Sequence, residues 1–454
     1  MKTNIKTKSA PIFTHEGGKA VLTSVQNQLR RAVNACLLWE NSFYESGIDI
    51  AARIAELVKA NDPVFVAALA INARTQMKLR HIPLLLVREM ARNASHRYLI
   101  GTTLSQVIQR PDEIGEFLSL YWKDQKDAPL ANQVKKGLAA VFTKFDEYGF
   151  GKWDQGGIKL RDAMFLVHPK PIDVKTKGKV IESIEKKDYQ RGKVRRHTNH
   201  VFGRIADKTI ETPDTWEVAL SGGADKKATF ERLINENQLG ALALLRNLRG
   251  MTEAGVDRNL IINALINIKT ERVLPFRFIA AARYAPQFEP QLETAMFKCL
   301  EGADRLNGET ILLIDTSGSM NDKISAKSDL TRIDAACGLA ILLREVCQSV
   351  RVFTFSSNIV EVPARRGFAL RDAINNSQPH SSTQLGKALS YLNNGRDSDR
   401  LIVITDEQSQ DRVSAPATTG YMLNVASYKN GVGYGPWNHI DGWSESCVKY
   451  ISIL

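Results

Sequence analysis

Over the first 285 residues the apolar positions recur at intervals of three and four, which places them on one face of an α-helix. Leu22, Val25, Leu29, Val33, Cys36 and Leu37 form the first such stripe, with Thr23 and Ser24 available to cap it. Asp62-Pro63 predicts another helix start, since Asp caps well and Pro is tolerated at the first helical position, and Val66, Ala67, Leu69, Ala70 and Ala73 continue its apolar face. Further starts fall at His81-Ile82-Pro83, Pro111-Asp112, Pro129 and Thr212-Pro213-Asp214-Thr215. Helices of 12–18 residues joined by short turns, with no strict period, predict either a degenerate α-solenoid or an ordinary helical bundle.

The pattern changes near residue 309. Ile311-Leu312-Leu313-Ile314 and Leu401-Ile402-Val403-Ile404 are unbroken apolar runs, the signature of parallel strands covered on both faces. Strands are expected at 310–315, 350–355, 359–362, 401–405 and 421–426, and helices at 331–348, 367–376, 384–394 and 441–452. In the first of those helices Ile333, Ala336, Cys337, Ala340 and Ile341 make a face for the sheet. The loop Gly431-Val432-Gly433-Tyr434-Gly435-Pro436 is too rich in Gly and Pro for a strand and reads as an exposed contact loop. The expected organisation is a helical domain over 1–285, a linker over 286–308 and an α/β domain over 309–454.

Both long apolar runs end in chemistry. The first closes in Asp315-Thr316-Ser317-Gly318-Ser319, the second in Thr405-Asp406, and Ser381-Ser382-Thr383 stands before a helical stretch. Open α/β sheets bind ligands beyond the carboxyl ends of their strands. Two carboxylates and several hydroxyls at that edge suit a hard divalent cation, magnesium or manganese, which takes oxygen ligands and keeps some of its waters.

The 454 residues are 43% hydrophobic, enough for packed cores in two or more domains. No run of 18 apolar residues occurs, and Met1–Ala10 lacks the apolar core of a signal peptide, so a cytoplasmic protein with no membrane span is expected. Five scattered cysteines without C-x-x-C spacing point to neither a disulfide framework nor zinc. The net charge of +12 is unevenly placed: residues 308–454 hold 14 basic and 15 acidic side chains, leaving 47 and 34 upstream. Residues 151–200 carry 13 basic against 6 acidic. Such a surplus draws a polyanion, because Lys and Arg release counterions from phosphates. No metalloprotease, P-loop or nucleophile-elbow pattern is present, so a non-enzymatic binding protein is expected.

D-x-S-x-S, then a Thr, then an Asp closing an apolar strand resembles the metal-ion-dependent adhesion site of von Willebrand factor A domains. The resemblance implies Asp315, Ser317, Ser319, Thr383 and Asp406 as cation ligands, in a domain short for its family at 146 residues. Helical repeats before such a domain resemble the TROVE-domain Ro autoantigen family, in the form of its compact prokaryotic or phage members. Leu242-Ala243-Leu244-Leu245-Arg246-Asn247-Leu248-Arg249-Gly250-Met251-Thr252 is similar to that family's "ALLRNLGKMT" segment, and Arg272-Val273-Leu274-Pro275-Phe276 to its "R-x-x-P-F". Val167-His168-Pro169-Lys170-Pro171 is similar to "SHLKP", departing at residue 169, where Pro replaces Leu.

This second resemblance implies a ring of HEAT-like helical repeats followed by a Rossmann-like A domain. It implies a scaffold in RNA quality control that takes single-stranded 3′ ends of misfolded RNA and Y-like small RNAs, as a monomer with an exoribonuclease or RNA-repair protein as partner. His168 matches a histidine implicated in Y RNA binding; Lys135, Lys136, Lys144, Lys159, Arg161 and Lys170 are the basic residues expected to meet RNA, with Tyr148, Phe150 and Trp153 available for stacking. The competing expectations are a metal-dependent protein-adhesion module without RNA and, further off, a metal-dependent nuclease.

Overall fold

In a computed structural model the chain forms two compact units, Arg53–Ala224 and Met1–Ala52 together with Asp225–Leu454. The structure describes residues 11–20, 23–35, 47–154, 157–170, 189–190, 193–194, 201–271, 273–324, 328–394, 398–426, 430–432, 436–443, 447–448 and 451. Leu22, Cys36, Leu37, Pro171, Arg272, Gly433, Tyr434, Gly435 and most of the basic stretch 171–200 lie outside them.

The unit Arg53–Ala224 is helical where the sequence predicts it. Asp62 caps the helix Pro63–Thr75, its Oδ1 accepting from the amides of Val64 (2.9 Å) and Phe65 (3.1 Å), and Val66, Ala67, Leu69, Ala70 and Ala73 are buried. Helices follow at His81–Arg92, Ile100–Val107, Asp112–Trp122, Asn132–Phe142, Glu147–Trp153, Leu160–Val167, Val201–Asp207 and Trp216–Ser221. Glu113, wholly buried, joins two of them: its Oε1 accepts from Arg74 at 2.5 Å and its Oε2 from the amide of Gln109 at 2.7 Å. That pairing offsets the large cost of burying a carboxylate. Gly137 lets Asn132–Phe142 approach Ile100–Val107, since a Cβ there would lie 3.1 Å from the Cα of Gly101.

In the other unit, helix α1 (Val25–Ala35) starts behind Ser24, whose Oγ accepts from the Asn27 amide at 3.3 Å, and buries Leu29, Ala32 and Val33. Helices Lys226–Asn235, Ala241–Glu253, Arg258–Ile266 and Phe276–Tyr284 follow. The stretch expected as a linker is occupied by a turn of 3-10 helix, Pro286–Phe288, and a helix, Glu289–Leu300, that buries Leu292, Ala295 and Met296. Its apolar positions at 292, 295 and 296 carry the helical interval into the supposed linker.

A six-stranded sheet follows, built from β1 (Leu306–Asp315), β2 (Cys347–Phe355), β3 (Ile359–Glu361), β4 (Arg400–Thr405), β5 (Thr419–Asn424) and β6 (Asn438–Asp441). Its order is β6-β5-β4-β1-β2-β3, with every neighbour parallel except the edge pair β2-β3. β1 lies between β4 and β2, so the ends of the two longest apolar runs come side by side, with Ile314 opposite Ile404. Helix α2 (Arg332–Val346) is closed at its start by a reciprocal Thr331–Asp334 capping box and buries all five residues of its expected face. Helices α3 (Gly367–Asn375) and α4 (Leu385–Asn393) complete the α/β layering.

Two expectations for this unit are corrected. β6 was not anticipated, and Asp441 ends this strand instead of opening a helix; of the expected helix 441–452, only Cys447, Val448 and Ile451 are described as helical. Gly431 and Val432 are buried, so the Gly-rich loop turns inward at its start. Val432, and Trp437 just after the loop, join the apolar cluster of Leu313, Phe353 and Val403.

Candidate functional site

The sheet brings three distant segments to one edge. Asp315, fully buried at the end of β1, accepts the amide of Ser317 on Oδ1 (2.8 Å) and the hydroxyl of Thr405 on Oδ2 (2.6 Å). Ser317 Oγ lies 3.3 Å from Ser319 Oγ, which donates to Asp406 Oδ2 at 2.7 Å. Four of the five expected ligands therefore form one hydrogen-bonded chain. Thr383, also buried, joins through its loop: the Gly318 amide donates to Ser381 O (2.9 Å), and Thr383 O accepts from the Gln410 amide (3.0 Å).

Two further groups were missed. Thr405 is a lone hydroxyl in an apolar strand, which was the available signal. Arg332, itself buried, donates from Nη1 to Ser319 O at 3.0 Å and to Asp406 Oδ2 at 3.4 Å, and a basic residue behind a capping Thr gave no such hint.

The donor set fits a hard divalent cation: two carboxylates and three hydroxyls, all oxygen. Burial, and then the neighbouring Asp406 carboxylate, push the Asp315 carboxyl up to about 7, against the hydrogen bonds from Thr405 and Ser317. A divalent ion between the two carboxylates would relieve that strain on the charged form. Among the described residues no cluster of three or more His, Cys, Asp or Glu could hold a metal, so hydroxyl oxygens would make up most of this ligand set.

The expected RNA-contacting residues lie in the unit Arg53–Ala224 and separate into two kinds. Six of the seven are exposed, Lys135, Lys136, Lys144, Lys159, His168 and Lys170, and they differ in what the side chain bonds to. His168 ends the helix Leu160–Val167 in the left-handed region (φ 48°), its amide bonded to Met164 O at 2.9 Å and its ring left to solvent. Lys144 instead turns back, its Nζ donating to Ser105 O (2.7 Å) and Ile108 O (2.6 Å) at the carboxyl end of Ile100–Val107, and burial lowers its pKa. Arg161 donates to Ala206 O at 2.9 Å and lies over the Phe165 ring at 5.1 Å, while Lys159 donates to Asp154 O at 3.2 Å.

Of the stacking candidates, Tyr148 is exposed, Phe150 is core, packed against Phe142 with centroids 6.0 Å apart, and Trp153 lies beneath the Arg110 guanidinium at 3.6 Å. Phe165 and Leu166, each 41% exposed, were overlooked. The buried stripe Leu160, Ala163, Met164 and Val167 leaves those two apolar residues off its face, which the sequence already implies.

A parallel α/β sheet whose first and fourth strands end in this oxygen set has the architecture of a von Willebrand type A domain, here preceded by paired helices. The TROVE domain family matches residues 204–316 and the von Willebrand factor type A domain family residues 310–408. The chain thus carries the two domains in the order expected from its sequence. Telomerase protein component 1 of Mus musculus is 32% identical over 91 residues, and that of Rattus norvegicus 31% over 91 residues; each match covers 19% of this chain and 4% of the relative. The chain therefore spans only a small part of the length of those curated relatives. The crystal structure of the Deinococcus radiodurans RO (RSR) protein matches with a TM-score of 0.60 at 16% identity, covering 93% of this chain and 97% of that one. The shared property there is the fold.

Proposed function

We propose that this chain is a non-enzymatic RNA-binding protein whose helical part meets RNA and whose A domain holds a magnesium or manganese ion. The observation that carries the RNA reading is the exposed group at the end of Leu160–Val167, where His168 and Lys170 follow Leu166 and Phe165, whose ring lies under Arg161 at 5.1 Å. The charges of Arg161 and Lys170 and the partly exposed Phe165 ring supply phosphate neutralisation and stacking, the two contributions single-strand binders combine. The charge division supports the same reading, since the surplus of Lys and Arg is confined to residues 1–307. Y-like small RNAs and single-stranded 3′ ends of misfolded RNA are the substrates proposed, in the cytoplasm, with an exoribonuclease or RNA-repair protein as partner. No helix among the described residues is long and apolar enough to cross a membrane.

In the A domain, Asp315 and Asp406 would carry the charge of the ligand set, and Ser317, Ser319 and Thr383 its neutral oxygens. The ion, when bound, supplies a positive site for a partner's carboxylate. A set with two carboxylates, one of them shared with Arg332, suits this better than the denser acidic cluster that holds two metals for nucleic-acid cleavage. The deciding experiment measures affinity for a 3′-tailed and a blunt RNA duplex over a salt series, with magnesium present. Tighter binding of the tailed RNA, left intact and weakening steeply with salt, is the expected result. Equal and salt-insensitive binding removes the RNA reading, and cleavage replaces it with a nuclease.

A further inference from the structure

The turn after β4 buries four consecutive polar residues, Asp406, Glu407, Gln408 and Ser409, each fully. Residues from the beginning of the chain serve three of them. Arg31 on α1 donates from Nη2 to Glu407 Oε2 at 2.7 Å, the His15 amide to Gln408 Oε1 at 2.7 Å, and Thr14 Oγ1 to Ser409 O at 3.1 Å. Arg31 Nε also reaches both oxygens of Asp441 at 3.1 Å, and His439 Nδ1 lies 2.7 Å from the second oxygen of Glu407.

The packing leaves little freedom. A Cβ on Gly18 would fall 2.2 Å from Ser409 O, and one on Gly431 would fall 1.8 Å from Glu407 Oε2. Glu407 holds a left-handed backbone (φ 60°), disfavoured for a residue with a side chain unless its surroundings impose it. That backbone begins one bond beyond the proposed ligand Asp406.

We propose that Arg31 is a positioning residue of the cation site: by fixing Glu407 in its left-handed turn, it sets the Asp406 carboxylate against Ser319 and Asp315. The inference rests on the cation reading above. Groups that orient metal ligands from outside commonly change affinity about 10- to 100-fold when removed. The sign of the effect is informative. Removing a positive charge near a cation site would, through charge alone, tighten cation binding, whereas loss of positioning weakens it.

The test is a calorimetric magnesium titration of the full chain at fixed ionic strength, comparing the unaltered protein with Arg31→Met, Arg31→Lys and, as a blank, Asp315→Ala. Arg31→Met should bind magnesium about tenfold more weakly. Arg31→Lys keeps the charge without the planar fork and should also bind more weakly, which carries the test if Arg31→Met does not fold. Unchanged or tighter binding in the folded variants overturns the positioning role alone. Absence of any binding that Asp315→Ala removes overturns the cation reading and this inference with it. Amide exchange in cation-free protein gives an independent readout. Arg31→Met should speed exchange at Glu407, Gln408 and Gln410 more than within β1, and a uniform change along the chain overturns the proposal.

Discussion

The A domain and the helical unit Arg53–Ala224 place their candidate functional side chains in opposite ways. At the ends of β1 and β4, Asp315, Ser317, Thr383 and Asp406 are buried, and hydrogen bonds bind each to its neighbours or their loop. In the helical unit, Lys135, Lys136, His168 and Lys170 project from the surface. A buried polar site tolerates few residue types, because each unpaired oxygen or charge there costs free energy. An exposed cation can sit at many positions and still draw a phosphate. The first kind of site is therefore written as a motif, and the second only as a surplus of charge.

The sharpest way to break this contrast is Asp315→Ala. It should abolish magnesium binding in a calorimetric titration while leaving RNA affinity within about twofold, since the two sets of residues belong to different compact units and share no partner among the described contacts. Loss of both activities together would mean that the two regions form a single site. The converse substitution, Lys135, Lys136 and Lys170 all to Ala, should leave magnesium binding intact. It should reduce the slope of log K against log salt by about 2, at roughly 0.7 for each phosphate no longer neutralised.

A third substitution separates charge count from charge placement. Lys144 is a basic residue like its neighbours, yet its ammonium group holds the carboxyl end of Ile100–Val107. Lys144→Ala should leave the salt slope unchanged and lower stability by about 1 kcal/mol, the net scale of an ordinary hydrogen bond, since the side chain stays exposed. Chemical denaturation with RNA titrations at three salt concentrations would check both. An altered slope with unchanged stability would return Lys144 to the RNA surface.

A further expected effect is in pH. The Asp315 carboxyl, raised to about 7 in the folded chain, binds a proton there that the unfolded chain has already released above its ordinary range near 4. The stability this protonation contributes is full below the unfolded value and is lost as pH rises through 7. Without divalent cation the melting temperature should therefore fall between pH 5 and pH 8, and Asp315→Asn should flatten that fall. A profile unaffected by the substitution would show that Asp315 ionises normally.

The same contrast governs what the sequence discloses. The ends of β1 and β4 were legible because an apolar run must stop where a buried carboxylate begins, and Asp62 was visible as a cap through local rules. β6 was not legible: Asn438-His439-Ile440-Asp441 has one apolar aliphatic residue and takes its place in the sheet from its pairing with β5. Arg31 and Arg332 were illegible as site residues because their roles depend on neighbours brought together only by the fold. Phe165 and Leu166 could have been found by asking which apolar residues the helical stripe excludes.

The contact between Arg31 and Glu407 spans 376 positions of sequence. At a synthesis rate of roughly 5–20 residues per second, the ribosome reaches Glu407 about 20 to 75 seconds after Arg31. Throughout that interval Leu29, Ala32 and Val33 are without the β6 edge on which α1 finally rests. Domains tend to form as units while the chain emerges, so the 53–224 helices have time to assemble first. The first helix among the described residues is then among the last to be buried, and the nascent chain carries an apolar stripe that a chaperone can hold until β6 appears.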